Sequence, residues 1–256
     1  MRPHRDSGFV VSADRLDDKL LVHDYGHGGT GFSLGRGTGL LATGLALAGS
    51  ARRAAVIGSG AVGLMAARQL QRHGFDVTIY AAPGDASGAL AVFRDNAGAD
   101  LMPPGMSLPR ELLEPGVHPV SAPYASVAPT LRFEPSIYFA AMLRDVVLFG
   151  GKIVVRKFDS PRDLAQLAEP VVVNCAGLGA KALFGDNEPT PVKGQLVVLV
   201  PPPELRYAVA GTMPRSDGVV LGHVAQAGVW DTSVDDAERK RVVERAIQFF
   251  GTMRAR

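Results

Sequence analysis

A single cysteine, Cys175, a single tryptophan, Trp230, and a net charge of only +2 set the first limits on this 256-residue chain. One cysteine excludes an intrachain disulfide and any cysteine-rich metal site. A charge so near zero, with no block of Lys and Arg and no stripe of basic and aromatic residues, argues against nucleic acid as a partner. No apolar run reaches the roughly 20 residues of a membrane span. Met1-Arg2-Pro3-His4-Arg5-Asp6 leads into no apolar signal core. A cytoplasmic location is the default expectation, and so abrupt a start leaves room for a lost upstream segment. What the chain does have is 46% apolar and 20% charged residues, an ordinary globular composition that suffices for one large α/β domain or two small ones.

The chain is rich in glycine, and two of its loops are dense in it. The first, Val22-His23-Asp24-Tyr25-Gly26-His27-Gly28-Gly29-Thr30-Gly31-Phe32-Ser33, follows an apolar strand and opens a helix from about Ser33 through Leu45. Residues without a Cβ let backbone amides approach a flat or anionic ligand, and the helix start turns its free N–H groups toward it. The second loop, Gly58-Ser59-Gly60-Ala61-Val62-Gly63, follows the buried-type strand Ala54-Ala55-Val56-Ile57 and opens a helix over Ala61 to Arg72. In such a dinucleotide finger the first glycine makes the tight turn, the second admits a pyrophosphate and the third permits close helix-strand packing. Two loops of this kind predict a large cofactor held at two points. The acidic residue expected to bind an adenosine ribose is not at the end of the next strand, Phe75 to Tyr80, since Ala81 and Ala82 follow and Asp85 comes late. Either Asp85 bends back or the ribose is held by backbone and water.

Along the rest of the chain, Gly8 to Val11 and Lys19 to His23 predict a hairpin around the turn Asp14 to Asp18. Ala82 to Thr130 has little periodicity and reads as a substrate-side loop. Helices are expected over Pro135 to Phe149, Pro161 to Glu169 and from Ser233 and Asp235 onward, the last with Val242, Val243, Ala246, Ile247, Phe249 and Phe250 on its apolar face. Strands are expected at Lys152 to Phe158, Val171 to Cys175, Leu196 to Val200 and Val219 to Leu221.

Taken together, these segments resemble the D-amino-acid oxidase family of FAD enzymes. The residues that carry the resemblance are Arg2-Pro3-His4-Arg5, His23 through Gly31, Val56 through Leu64, Asn174-Cys175-Ala176-Gly177-Leu178-Gly179-Ala180, Gly194-Gln195, and Leu221-Gly222 through Trp230. In the familiar oxidases the Arg-Pro-x-Arg segment and the Tyr-Gly-His-Gly-Gly loop come last; here both come first, in effect a circular permutation. The order resembles a bacterial branch of the family, and it places the C-terminal helix near the N-terminal strand. The resemblance implies an α/β fold, with a Rossmann-like FAD-binding domain and a reduced antiparallel substrate lobe. The domain would comprise residues 1–84 and 151–195 with the helix 233–256, and the lobe residues 85–150 and 196–232.

It further implies oxidative deamination of a small D-amino acid or related amine by hydride transfer to flavin N5, with oxygen as acceptor and no metal or general base. Arg2 matches the arginine that grips the substrate carboxylate. Cofactor contacts fall on Gly58, Gly60, Ala61, Val62 and Gly63, on Gly28, Gly29, Gly31, Phe32 and Ser33, and on Phe158, Cys175, Ala176 and Gly177. Amides of Gly31, Phe32 and Ser33 would stabilise the negative charge of reduced flavin. Each assignment has a plainer competitor. Arg2 is also readable as a frayed terminal arginine, His23 and His27 as loop packing rather than a metal pair, Cys175 as a small core residue, and Trp230 equally as a core anchor or an active-site ring. The family's tyrosine on the substrate side falls at Gly211, the second glycine of a Leu-Gly-Gly strand is His223, and a flavin-contacting stretch survives only as Asp85-Ala86-Ser87-Gly88-Ala89. These departures, with a short substrate lobe, keep two alternatives open: an FAD-binding protein that has lost turnover, or a nicotinamide-dependent dehydrogenase.

Overall fold

The computed structural model describes residues 1–83, 111–128, 134–200, 207–222 and 224–253. In chain order the elements are β1 (Arg2–His4), β2 (Val10–Leu16), β3 (Lys19–Tyr25), α1 (Gly31–Ala46), β4 (Arg53–Ile57), α2 (Ala61–Arg72) and β5 (Asp76–Ala81). They continue with β6 (Glu111–Leu113), β7 (Ala125–Val127), α3 (Pro135–Leu148), β8 (Lys152–Val155), α4 (Pro161–Ala165), β9 (Val171–Asn174) and α5 (Gly179–Phe184). The last are β10 (Thr190–Lys193), β11 (Val197–Leu199), β12 (Thr212–Arg215), β13 (Gly218–Leu221), β14 (Gln226–Ala227) and α6 (Asp236–Gly251). The chain divides into two compact units, residues 1–93, 135–193 and 226–230 in the first and 94–134, 194–225 and 231–256 in the second.

The first unit is built on a six-stranded sheet in the order β2-β3-β9-β4-β5-β8. Strands β3, β9, β4, β5 and β8 run parallel, and β2 joins the edge antiparallel through its hairpin with β3. The central strands are nearly all Val, Ile and Ala because both faces are covered. Successive residues divide between the faces. Val22, Val56, Val77, Ile79, Val171 and Val173 pack with Ala42 of α1, Leu64 and Leu70 of α2 and Val146 of α3. Leu21, Ala55, Ile57 and Val172 pack with Phe158, Leu164 of α4 and Leu183 of α5. Leu164 is fully buried, so truncating it to Ala costs about 2–5 kcal/mol. Helices α1 and α2 approach closely because Gly31, Gly35 and Gly39 fall four residues apart: a Cβ on Gly39 would stand 3.0 Å from Ala66 Cα. A small antiparallel sheet, β1-β10-β14, completes the unit.

The second unit holds the antiparallel sheet β11-β13-β12 and the pair β6-β7. Helix α6 starts at Asp235, whose carboxylate accepts from Glu238 N at 3.0 Å. Gln195 brackets that cap, donating to Asp235 O and accepting from Asp235 N, both at 2.8 Å.

Two helices fall in different units from the expected division. Residues 135–148 belong to the first unit because Val146 is buried in its core and Phe139 and Met142 pack against it. Helix α6 belongs to the second, where Val242 packs with Val219, Leu221 and Val224. Of the expected α6 face, Val243 and Ala246 join that contact while Ile247 is exposed. The first hairpin is tighter than expected: β2 continues through Asp14 to Leu16 in register with β3, leaving Asp17-Asp18 as the turn, with Asp17 at φ 52°. Trp230 is exposed rather than a core anchor. Asp85 to Ala89 and His223 lie outside the described residues. No helix among the described residues is long and apolar enough to cross a membrane.

Candidate cofactor site

The parallel strands of the first unit all end on the same edge of the sheet, the edge where open α/β sheets take their ligands. The segments singled out from sequence in this unit, apart from Arg2, follow strand ends there: Gly26 to Ser33 after β3, Gly58 to Gly63 after β4, Cys175 to Gly177 after β9, and Phe158 beyond β8. The finger turns at Gly58, with φ +106°, and Gly58 N donates to Tyr80 O at 2.8 Å. A Cβ on Gly58 would stand 2.6 Å from Cys175 O, and one on Gly63 would run into the Gly58 carbonyl. Gly60 differs. It precedes α2 in extended conformation, no side chain caps the helix, and a Cβ there would meet nothing within 4 Å. Open space thus stands over an uncapped 12-residue helix, with the buried Ser59 hydroxyl beside it lacking a hydrogen-bond partner. This arrangement fits a pyrophosphate.

The first glycine loop meets the finger. A Cβ on Gly31 would lie 3.2 Å from Val62 Cγ2 and 3.8 Å from Ala61 Cβ, so the starts of α1 and α2 converge. No side chain caps α1 either. Gly28 N donates to Pro3 O at 2.7 Å and Ser33 N to Thr30 O at 3.0 Å, so these two amides are engaged within the protein rather than offered to a ligand. Gly29 and Gly31 are two loop positions whose amides make no such bond. Phe32 contributes its ring to the core, edge-on to Tyr138 and Phe139 of α3.

The N-terminal segment lies across this loop residue by residue. Arg5 covers Gly26, His4 Nδ1 would stand 3.0 Å from a Cβ on Gly28, Arg2 Cδ would stand 3.0 Å from one on Gly29, and Pro3 covers Gly177. Strand β1 is held in place by β10, with Arg2 opposite Val192, so Arg2 is not a frayed terminal residue. Arg5 forms ion pairs with Asp186 and Glu188, and Tyr25 donates to Asp186 at 2.6 Å. Burial, with the Asp186 carboxylate at its hydroxyl, pushes Tyr25 up to about 12. This clamp has no signal in the sequence, since Arg5 and Asp186 are 181 residues apart.

Around the wall, Ala176 N donates to the Asn174 side chain at 3.1 Å, and Asn174 Nδ2 meets His23 Nδ1 at 3.0 Å. His27 instead bonds Thr38 at 2.9 Å, so the two histidines engage separate partners in the loop's packing. Burial, and then the Asp24 carboxylate, push the Cys175 thiol well above its ordinary range, which leaves it a core residue and not a nucleophile. The Phe158 side chain is buried in the second apolar cluster, edge-on to Tyr80 and under Arg156, so only its backbone is left to border a ligand.

Against this geometry, the family model described as FAD dependent oxidoreductase matches residues 89–256. The chain belongs to the FAD dependent oxidoreductase family. A second model, NAD(P)-binding Rossmann-like domain, matches residues 56–109, which include the finger. Among curated relatives, a D-amino-acid oxidase of Streptomyces coelicolor is 35% identical over 112 residues, covering 40% of this chain and 34% of the relative. A D-amino-acid oxidase of Rubrobacter xylanophilus is 32% identical over 130 residues, covering 48% of this chain and 39% of the relative. The D-aspartate oxidase 1 of Caenorhabditis elegans is 29% identical over 131 residues, covering 48% of this chain and 37% of the relative. The chain thus spans little more than a third of the length of these curated relatives. The uncapped starts of α2 at Gly60 and α1 at Gly31 offer backbone groups of the kind a dinucleotide such as FAD requires.

Proposed function

We propose that this chain is a D-amino-acid oxidase-type flavoprotein that carries out oxidative deamination of a small D-amino acid or related amine. The chemistry that FAD would supply when bound is acceptance of a hydride from the substrate's α-carbon, with oxygen as the final acceptor. The amides of Gly60, Ala61 and Val62 would hold the pyrophosphate at the α2 N-terminus, with Gly58 and Gly63 close-packed behind them. Gly29 and Gly31 would present amides to the flavin side, adding the positive end of α1. Arg2 would bind the substrate carboxylate as a bidentate pair, held in place by β1 and by its stem over Gly29.

The observation that carries this reading is the meeting of the two glycine-loop helices at Gly31 and Val62 on the ligand-binding edge of the sheet. The test is the visible spectrum of the purified protein with added FAD, followed by a panel of D-amino acids without oxygen. A bound flavin that bleaches with a D-amino acid supports it; a colourless protein that gains no flavin signal overturns it.

One observation favours a second reading, an FAD-binding protein without turnover. Gly211, where the family resemblance calls for a tyrosine, follows Ala210 in a two-residue turn with φ of 49° and 81°. That turn is closed by Val209 N to Thr212 O at 3.0 Å and Thr212 N to Val209 O at 2.8 Å. A tyrosine there would be strained, so glycine is what the turn requires. Under this reading the protein is yellow and no D-amino acid bleaches it. Failure to retain a reducible flavin through purification would instead favour a nicotinamide cofactor.

A further inference from the structure

Beneath the Gly28 to Gly31 loop lie three polar side chains that the cofactor reading leaves without a role. Asp24, near the end of β3, has no exposed surface, His27 is buried within the loop, and Thr38 is buried on α1. His27 Nε2 bonds Thr38 Oγ1 at 2.9 Å and stands 3.7 Å from Asp24 Oδ1. Both Asp24 oxygens and His27 Nδ1 are buried without a hydrogen bond of good geometry, since the Thr38 hydroxyl that lies near the Asp24 carboxylate is bonded to His27. Orphaned polar atoms in such numbers are costly and call for a reason.

We propose that Asp24, acting through His27 and Thr38, is a positioning residue for the cofactor loop, and that FAD is held more tightly when Asp24 carries a proton. The proposal rests on the FAD reading of this loop. It begins with what faces Asp24. From the loop comes His27, from α1 Thr38, from the segment after β9 Cys175, and from β2 the paired Val11. Its neighbours His23 and Tyr25 alternate to the other sheet face, where they meet Phe184 and Asp186. Among the described residues no lysine or arginine forms an ion pair with Asp24, so an ionised carboxylate here lacks a cation.

Burial holds the proton on Asp24 up to about pH 7, with the Thr38 hydroxyl pulling the other way, and burial keeps His27 neutral down to about 4. With Asp24 protonated, His27 keeps its bond to Thr38 and the loop keeps the form described above. Once the proton leaves, the bare carboxylate competes for the His27 N–H or the Thr38 hydroxyl. Either exchange moves residue 27, whose carbonyl accepts from Thr30 N at 2.9 Å and from Thr30 Oγ1 at 2.7 Å at the entry to α1. The new negative charge also sits under a loop suited to an anionic, electron-rich ligand. Both effects weaken FAD binding, and by linkage bound FAD raises the affinity of Asp24 for its proton.

The test measures the Kd for FAD by quenching of flavin fluorescence in FAD-free protein from pH 5.5 to 8.5, alongside a carbon NMR titration of the Asp24 carboxyl with and without FAD. In the unmodified protein Kd should be level at low pH and weaken about tenfold by pH 8, the response of one linked proton. Asp24→Asn should remove that slope, and the Asp24 midpoint should rise when FAD is added. A Kd that does not vary with pH, or an Asp24→Asn variant that keeps the slope, overturns this proposal alone. If Asp24→Asn does not fold, the NMR midpoint of the unmodified protein decides, and a midpoint unmoved by FAD overturns it. Absence of FAD binding at every pH overturns the cofactor reading and this proposal with it.

Discussion

The Cδ atom of Arg2 lies 3.0 Å from where a Cβ would stand on Gly29, so the stem of the proposed carboxylate-binding arginine fills the space that a side chain at residue 29 would need. Under the proposed function, the substrate and cofactor subsites would adjoin where the N-terminal strand crosses the glycine loop. Arg2→Lys removes the planar fork while keeping the charge. The expected outcome in an active preparation is a KM raised by about tenfold or more with FAD affinity unchanged, the loss of roughly one charge-assisted hydrogen bond. Steady-state kinetics with a separate FAD titration checks it; an unchanged KM removes Arg2 from the site.

Gly58 and Gly60 should separate folding from binding. Gly58→Ala places a Cβ 2.6 Å from Cys175 O at a φ of +106° and should destabilise the first unit. Gly60→Ala meets nothing within 4 Å and should lower the thermal midpoint by only about 2–4 °C, less than Gly58→Ala, since Gly and Ala at this capping position differ by about 1 kcal/mol. Its methyl group occupies the space proposed for the pyrophosphate, so FAD affinity should fall in Gly60→Ala. Thermal melts and flavin titration of the two variants check the pair.

Asp24 and His27 contribute opposite slopes to stability. Asp24 rises from 3.8 to about 7 on folding, so its contribution is complete below pH 3.8 and is lost as pH rises to 7. His27 falls from 6.5 to about 4, so its contribution is complete above pH 6.5 and is lost as pH falls to 4. Each slope is about 1.4 kcal/mol per pH unit within its window, and the two cancel where they overlap. Relative to the unmodified protein, Asp24→Asn should gain stability as pH rises from 4 to 6.5, and His27→Gln should lose it. Urea midpoints across that range check both signs.

The Arg5 clamp should be acid-labile. Asp186 is partly desolvated, yet its bonds from Tyr25, Glu188 N and Arg5 leave its carboxyl below the ordinary range. A depressed carboxylate stabilises the fold above its ordinary value of 3.8 and stops doing so as pH falls through its folded value. Arg5→Ala should lower Tm by about 2–4 °C at neutral pH, and the difference should shrink at acid pH. Differential scanning calorimetry at two pH values checks it.

Much of the first unit is legible in the sequence because its signals are local. The Val and Ile runs of β4 and β9, the glycine spacing at Gly58 to Gly63 and the proline at the start of α3 each act within a few residues. Contacts between distant segments are not legible in this way. Tyr25 and Asp186 are 161 residues apart, and only the fold brings them together. The placement of α6 depends on which apolar surface Val242 finds, which its own periodicity does not specify. Gly28 and Ser33 show the same limit within the site. The glycine pattern marks the loop, but the Pro3 and Thr30 carbonyls decide which amides remain for a ligand. Asp24 had a local signal that composition alone did not interpret, a lone acid in an apolar strand run between Val22 and the glycine loop.

The most direct test of the account is anaerobic reduction of the FAD-loaded protein followed by its visible spectrum. The account expects a bound, oxidised flavin whose absorption bleaches on addition of a D-amino acid and returns when oxygen is admitted. A protein that stays colourless after incubation with FAD, with no change in flavin fluorescence at any pH, would contradict it.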